Sequence, residues 1–184
     1  IILTRHTPRC VFCQHPALER FNGRPVCSGC WEELAARGAG ATAPYVVFAD
    51  AAPARGGRYR AAAVSEDGHW TSRPVRAASQ TEAEALALVL ACGLARRHSP
   101  PDAPVVLVTD NQWFRLEYDN PRKPQLTRWV AACRRLLAGR PAAVAYVPGP
   151  RNPADPLSRR DGSGPEDHTG PPLPAGMVAA FRAG

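Results

Sequence analysis

Lysine is nearly missing from this 184-residue chain: Lys123 stands alone, and arginine supplies the rest of the 23 basic side chains. With abundant Ala, Gly and Pro, that bias has the look of GC-rich coding, so part of the arginine excess says nothing about function. Nor does any apolar run approach the roughly 18 residues needed to cross a bilayer. The opening "IILTRHTPRC" has no apolar core of the kind a secretory signal needs. Together these absences argue against a membrane role and for an intracellular setting. The chain starts without Met, which is compatible with a fragment or a mature piece. No internal repeat and no polymerase motif is visible.

Cysteine is scarce and unevenly placed. Four of six fall in two Cys-x-x-Cys pairs, Cys10/Cys13 and Cys27/Cys30, while Cys92 and Cys133 stand isolated in helix-like segments. This usage fits a reducing compartment and a metal site better than a disulfide framework. The isolated pair reads as apolar helix filling. A formal charge of +7 points modestly to a polyanionic partner. The 45% hydrophobic fraction permits one good-sized core, although alanine makes up much of it.

Residues 1 to 40 read as a small metal-dependent module and linker. Two Cys-x-x-Cys turns can converge four thiolates on one tetrahedral Zn²⁺. So short a unit buries too little surface to fold alone, so the ion would supply folding energy. His6 and His15 are read as exposed bystanders. "NGRPVCSGC" resembles the second knuckle of zinc-ribbon or treble-clef modules.

From residue 45 the pattern changes. "YVVFAD", "GRYRAAAVS" and "GHWTSRPVR" read as three antiparallel strands, the last two joined by the turn "EDG". "SQTEAEALALVLACGLARRH" reads as a long helix, with Leu86, Leu90 and Leu94 at four-residue spacing. "APVVLVTD" is a buried-type strand, "NQWFRLEY" and 124–139 are helices, and "AAVAYVPG" is a fifth strand. The expected fold class is α/β: a five-stranded mixed sheet in the order β-β-β-α-β-α-α-β. Residues 161–184, rich in Gly and Pro, are expected to be disordered.

Asp50 and Asp110 both close apolar strands, and Glu84 opens the long helix beside Glu82. Asp155 follows the fifth strand in "YVPGPRNPADPLSRR". An aspartate at the end of a buried strand needs a partner or a metal. Singly, each carboxylate has a structural explanation; an acid early in a helix, for instance, complements its dipole. Four from four elements, converging on one sheet edge, suit two Mg²⁺ or Mn²⁺ ions. Two such ions, about 4 Å apart, can activate water and stabilise the leaving oxygen of a phosphodiester.

"VVFADAAP", "TEAEALAL", "VLVTDN" and "YVPGPRNPADPLSR" stand in the order found in type 1 ribonuclease H domains. Residues 45 to 160 resemble that family, most of all the version attached to reverse transcriptases of hepadnavirus-like and other retroelements. The resemblance implies a ribonuclease H-like fold and metal-dependent endonucleolysis of the RNA strand of RNA–DNA hybrids. It implies Asp50, Glu84, Asp110 and Asp155 as the catalytic, metal-binding carboxylates. Asp50 would bridge both ions, with Glu84 and Asp110 on one and Asp155 on the other. Glu84 is preferred to Glu82 because Ala87 and Leu88 match the small-then-large pair that follows the family's glutamate. Gln80, Asn111 and Gln112 occupy positions of substrate contact in relatives, with helix capping as the plain alternative. Arg151 and Asn152 stand in the loop where cellular members carry a histidine. "PRKPQ" replaces the lysine-rich protrusion of bacterial members, so the zinc module is a candidate supplier of affinity. A reverse transcriptase or replication protein is the implied partner, and the cytoplasm or a viral, phage or retroelement particle the implied location. Two rivals remain open: a DNA nuclease of the same fold, such as a resolvase or exonuclease, and a non-catalytic zinc-anchored nucleic-acid-binding module.

Overall fold

The computed structural model describes residues 19–21, 24–26, 43–119, 122, 124–162 and 164–182. The chain divides into two compact units, Ile1–Thr42 with Ala183–Gly184, and Ala43–Arg182. In the first unit, β1 (Glu19–Phe21) and β2 (Arg24–Val26) pair antiparallel. The four Cys-x-x-Cys cysteines, and the zinc expectation with them, lie outside the described residues.

The second unit opens on β3 (Tyr45–Ala54), whose first five residues, Tyr-Val-Val-Phe-Ala, suit a strand buried on both faces. β4 (Arg58–Ser65) and β5 (His69–Val75) follow antiparallel. Helix α1 (Gln80–His98) starts at a reciprocal cap. Ser79 Oγ accepts from the Glu82 amide at 3.2 Å, and Glu82 accepts from the Ala78 amide at 2.8 Å. Arg96 and Arg97 complement the dipole at its last turn.

β6 (Val105–Thr109) and β7 (Ala142–Tyr146) lie parallel to β3, with α2 (Gln112–Asp119) and α3 (Pro124–Leu137) between them. α4 (Asp155–Ser158), β8 (Glu166–Thr169) and α5 (Ala175–Arg182) complete the unit. The sheet order is β7-β6-β3-β4-β5-β8. One face buries Val47, Leu88, Leu107, Phe114, Leu126 and their neighbours beneath α1 to α3. The other buries Val46, Phe48, Val108, Val147 and Val178 under α4 and α5. Among the described residues no helix is long and apolar enough to cross a membrane.

Three expectations are corrected. The sheet has six strands, not five, because the supposedly disordered tail adds β8 to the edge at β5. Polar anchors hold the stretch leading into β8, and apolar contacts hold α5. The buried Arg60 guanidinium donates to the Gly162 carbonyl, to Gly164 O at 3.2 Å and to Glu166 at 3.4 Å. Trp70 and His168 rings lie 4.7 Å apart, and Phe181 meets Phe48 edge-on at 5.3 Å. Gly68 (φ 89°) takes a conformation that favours glycine, and a Cβ there would lie 2.3 Å from the Gly170 carbonyl of the tail. Finally, Asp50 does not end its strand: β3 runs on to Ala54 against β4, and it is the pairing with β6 that stops, at Phe48↔Val108.

Candidate active site

Parallel register brings the aspartates together. Tyr45 aligns with Val105 and Phe48 with Val108, so Asp50 and Asp110 occupy equivalent positions just beyond the last paired residues. The first turn and a half of α1 adds Glu84. One oxygen from each of Asp50, Glu84 and Asp110 lies within 4.8 Å of the others, the one such acidic, His or Cys trio among the described residues. Glu82 is engaged elsewhere, in the helix cap and in an ion pair with Arg128.

The trio is crowded and largely buried. Asp50 and Glu84 are buried at 3% and 5% exposure, and Asp110 is half-buried. Burial, then the charges of Asp50 and Asp110, push the Glu84 pKa up to about 8 against bonds from Gln80 and the Ala51 backbone. Burial likewise lifts Asp50 to about 6, with Asp110 and Asp155 adding to the rise and Ser158 and Arg159 opposing it. Asp110 is raised as well, mainly by burial. These groups resist ionising together unless a positive charge joins them.

The expected site residues fall into distinct positions. Asp155 heads α4, close enough to raise its neighbours, but it stands outside the trio. Its Oδ1 accepts from Arg159 at 2.9 and 2.8 Å. Gln80 donates to Glu84 Oε1 at 2.6 Å and to Ala51 O at 2.5 Å, so its amide steadies the glutamate. Asn111 Oδ1 accepts from the Phe114 amide at 3.2 Å, capping α2. Gln112 and Arg151 are exposed. Asn152, expected on the substrate side, is turned inward and 3% exposed. Its Nδ2 donates to Ala49 O at 2.8 Å and its Oδ1 accepts from the Ala154 amide at 3.1 Å. That bolt fastens the loop to β3 and so sets where Asp155 emerges.

Two contributors escaped the sequence reading. Ser158 Oγ donates to Asp50 Oδ2. Gly149 lets the β7–α4 loop approach so closely that a Cβ there would sit 3.0 Å from Asp110 Oδ2. The serine one helical turn after Asp155 was the available signal.

The donor set fits a hard divalent cation. All three convergent groups are carboxylates, and Glu84 Oε2 is buried with no hydrogen-bond partner. An ionised oxygen in that position is costly unless a cation satisfies it.

The sequence matches no protein-family model and no curated protein. Solved structures do resemble the chain. Ribonuclease H1 from the halophilic archaeon Halobacterium salinarum NRC-1 aligns at a TM-score of 0.54 and 24% identity, over 62% of this chain and 94% of that one. LC11-RNase H1, in a complex with RNA/DNA hybrid, aligns at 0.53 and 20%, over 61% and 92%. The N-terminal RNase H domain of rv2228c from Mycobacterium tuberculosis aligns at 0.52 and 17%, over 64% and 91%. The fold shared with these proteins is the ribonuclease H fold.

Proposed function

We propose that the chain is a divalent-cation-dependent endonuclease that hydrolyses the RNA strand of RNA–DNA hybrids. The observation that carries this reading is the Asp50–Glu84–Asp110 cluster with the unpartnered Glu84 Oε2, set where β3 and β6 part. A neighbour of the same fold solved with an RNA/DNA hybrid supports the substrate class. Asp50, Glu84 and Asp110 would hold the cation, Mg²⁺ or Mn²⁺, with Asp155 beside them as the candidate ligand for a second. Bound there, the cations would supply water activation and charge neutralisation for phosphodiester hydrolysis.

The protein's own part is orientation. Gln80 keeps Glu84 Oε1 engaged and leaves the buried Oε2 without a hydrogen-bond partner, available to a cation. Arg159 holds Asp155 by its side chain, and Asn152 holds the loop behind it. Exposed Arg55 and Arg58 flank the β3–β4 turn beyond Asp50, and Arg151 lies on the loop before Asp155. These arginines would meet backbone phosphates, while Gln112, at the start of α2, would reach the minor-groove edge where 2′-hydroxyls mark RNA.

The finer reading is of a retroelement-like enzyme, supported by "NPADPLSR" forming the turn and short helix that carry Asp155 and Ser158. Cys10, Cys13, Cys27 and Cys30 would hold one structural Zn²⁺ in an N-terminal module of residues 1 to 40. A reverse transcriptase or replication protein would be the partner. Zinc content after dialysis tests the module: one equivalent is expected, and none would remove it from the account. For the activity, a labelled hybrid with Mn²⁺ is the test, with Asp110→Asn as control. Cleavage that persists in that variant would sink the reading, and a preference for branched or duplex DNA would move it to another nuclease of this fold.

A further inference from the structure

Ser158 is the last residue of α4, 1% exposed, and its hydroxyl makes two contacts. It donates to Asp50 Oδ2 on β3, and it lies 2.9 Å from the backbone carbonyl of Asp155. One side chain therefore joins the central carboxylate of the acidic cluster to the turn that carries the fourth.

Its placement is built from several elements. The Ser158 amide donates to Ala154 O at 3.0 Å, and Ala154 itself is fully buried. The carbonyl of Leu157, the residue before, accepts from Ser72 Oγ on β5 at 3.0 Å. Ser72 Oγ in turn accepts from Arg60 Nη1 on β4 at 3.0 Å. Arg60 is 1% exposed, and it also gathers the carbonyls of Gly162 and Gly164. The segment after Asp155 thus bolts α4 to the sheet with Ser158 aimed at Asp50. A hydroxyl needed only to satisfy its own helical turn would have no reason to meet a buried carboxylate from another element.

We infer that Ser158 is a positioning residue for the cation at the acidic cluster: its hydroxyl holds the Asp50 carboxylate in the rotation that cation binding requires. The inference rests on the cation reading of the cluster, not on the hybrid as substrate. An outer hydrogen bond of this kind orients a ligating carboxylate, and its loss typically weakens metal affinity by about 10- to 100-fold. At 1% exposure, Ser158 would act through Asp50 and not on the substrate itself.

The test measures Mn²⁺ affinity of the full chain by titration calorimetry at one fixed pH, without nucleic acid. Mn²⁺ prefers oxygen donors, so its binding reports on carboxylates rather than thiols, and Asp110→Asn gives the background. Ser158→Ala and the near-isosteric Ser158→Cys are expected to weaken Mn²⁺ binding by about 10-fold or more. Ser158→Thr, which keeps the hydroxyl, is expected to bind like the parent. Parent-like affinity in both Ala and Cys variants would overturn the inference. So would a folded Thr variant as weak as Ala, since packing and not the hydrogen bond would then be responsible. Should the Thr variant not fold, the Ala and Cys pair still decides. If the parent binds no Mn²⁺, the inference falls with the cation reading. If it binds Mn²⁺ but leaves the hybrid intact, the proposed function fails and the role of Ser158 stands.

Discussion

Glu84→Gln turns the electrostatics of the site into a stability measurement. In the folded chain Glu84 is raised from 4.5 to about 8. A carboxyl raised on folding binds its proton more tightly in the native state. Its contribution is therefore complete below about pH 4.5 and is lost as pH climbs through 8. At about 1.4 kcal/mol per pH unit, going from pH 5.5 to 8.5 removes roughly 3 kcal/mol of native stability through this one group. Asp50, raised to about 6, and Asp110 titrate with it, so the loss is spread over the interval. Glutamine cannot ionise, and its Oε1 can still accept from Gln80. Urea unfolding of parent and variant, in Mg²⁺-free buffer without chelator, gives the difference at each pH. The variant should gain about 3 kcal/mol on the parent between pH 5.5 and 8.5. Saturating Mg²⁺ should then stabilise the parent at pH 8.5, by about 2.7 kcal/mol at one hundred times its dissociation constant, and leave the variant unmoved. Parallel pH profiles would refute the reasoning, because Glu84 would then be an ordinary solvated acid.

Other expectations follow from neighbouring contacts. Gly149→Ala places a methyl 3.0 Å from Asp110 Oδ2, so Mn²⁺ affinity should fall while the urea midpoint stays near that of the parent. A parent-like affinity would show that the loop simply gives way. Asn152→Ala strands the Ala49 carbonyl and the Ala154 amide, which costs about 1 to 3 kcal/mol and should lower the melting temperature by several degrees. Ending the chain at Arg160 removes β8 and α5 and uncovers Phe48, and the urea midpoint should drop sharply. An unchanged midpoint would mean that the tail contributes nothing to the core.

Much of the second unit was legible because its signals are local. Val- and Ala-rich strands, the leucine spacing of α1 and the order of the acidic residues all follow from spacing along the chain. What escaped depends on contacts between distant residues. Nothing near "EDHT" announces a strand; it forms because Arg60, more than a hundred positions earlier, captures the carbonyls leading into it. The short helix α5 was more readable than it was read, since Met177, Val178 and Phe181 form an apolar stripe at helical spacing. Asn152 misled for a different reason: an asparagine on a proline-rich loop looks exposed until the fold turns it towards Ala49. For Ser158, sequence showed a polar residue after Asp155 but not that its hydroxyl would meet Asp50.

The most direct test of the central claim is a cleavage assay on three duplexes of one sequence: RNA–DNA hybrid, RNA–RNA and DNA–DNA. With Mn²⁺ or Mg²⁺ the parent should shorten only the RNA strand of the hybrid, leaving 5′-phosphate ends, and Asp110→Asn should lose this activity. An intact hybrid under both metals, or cleavage that survives in Asp110→Asn, would contradict the account.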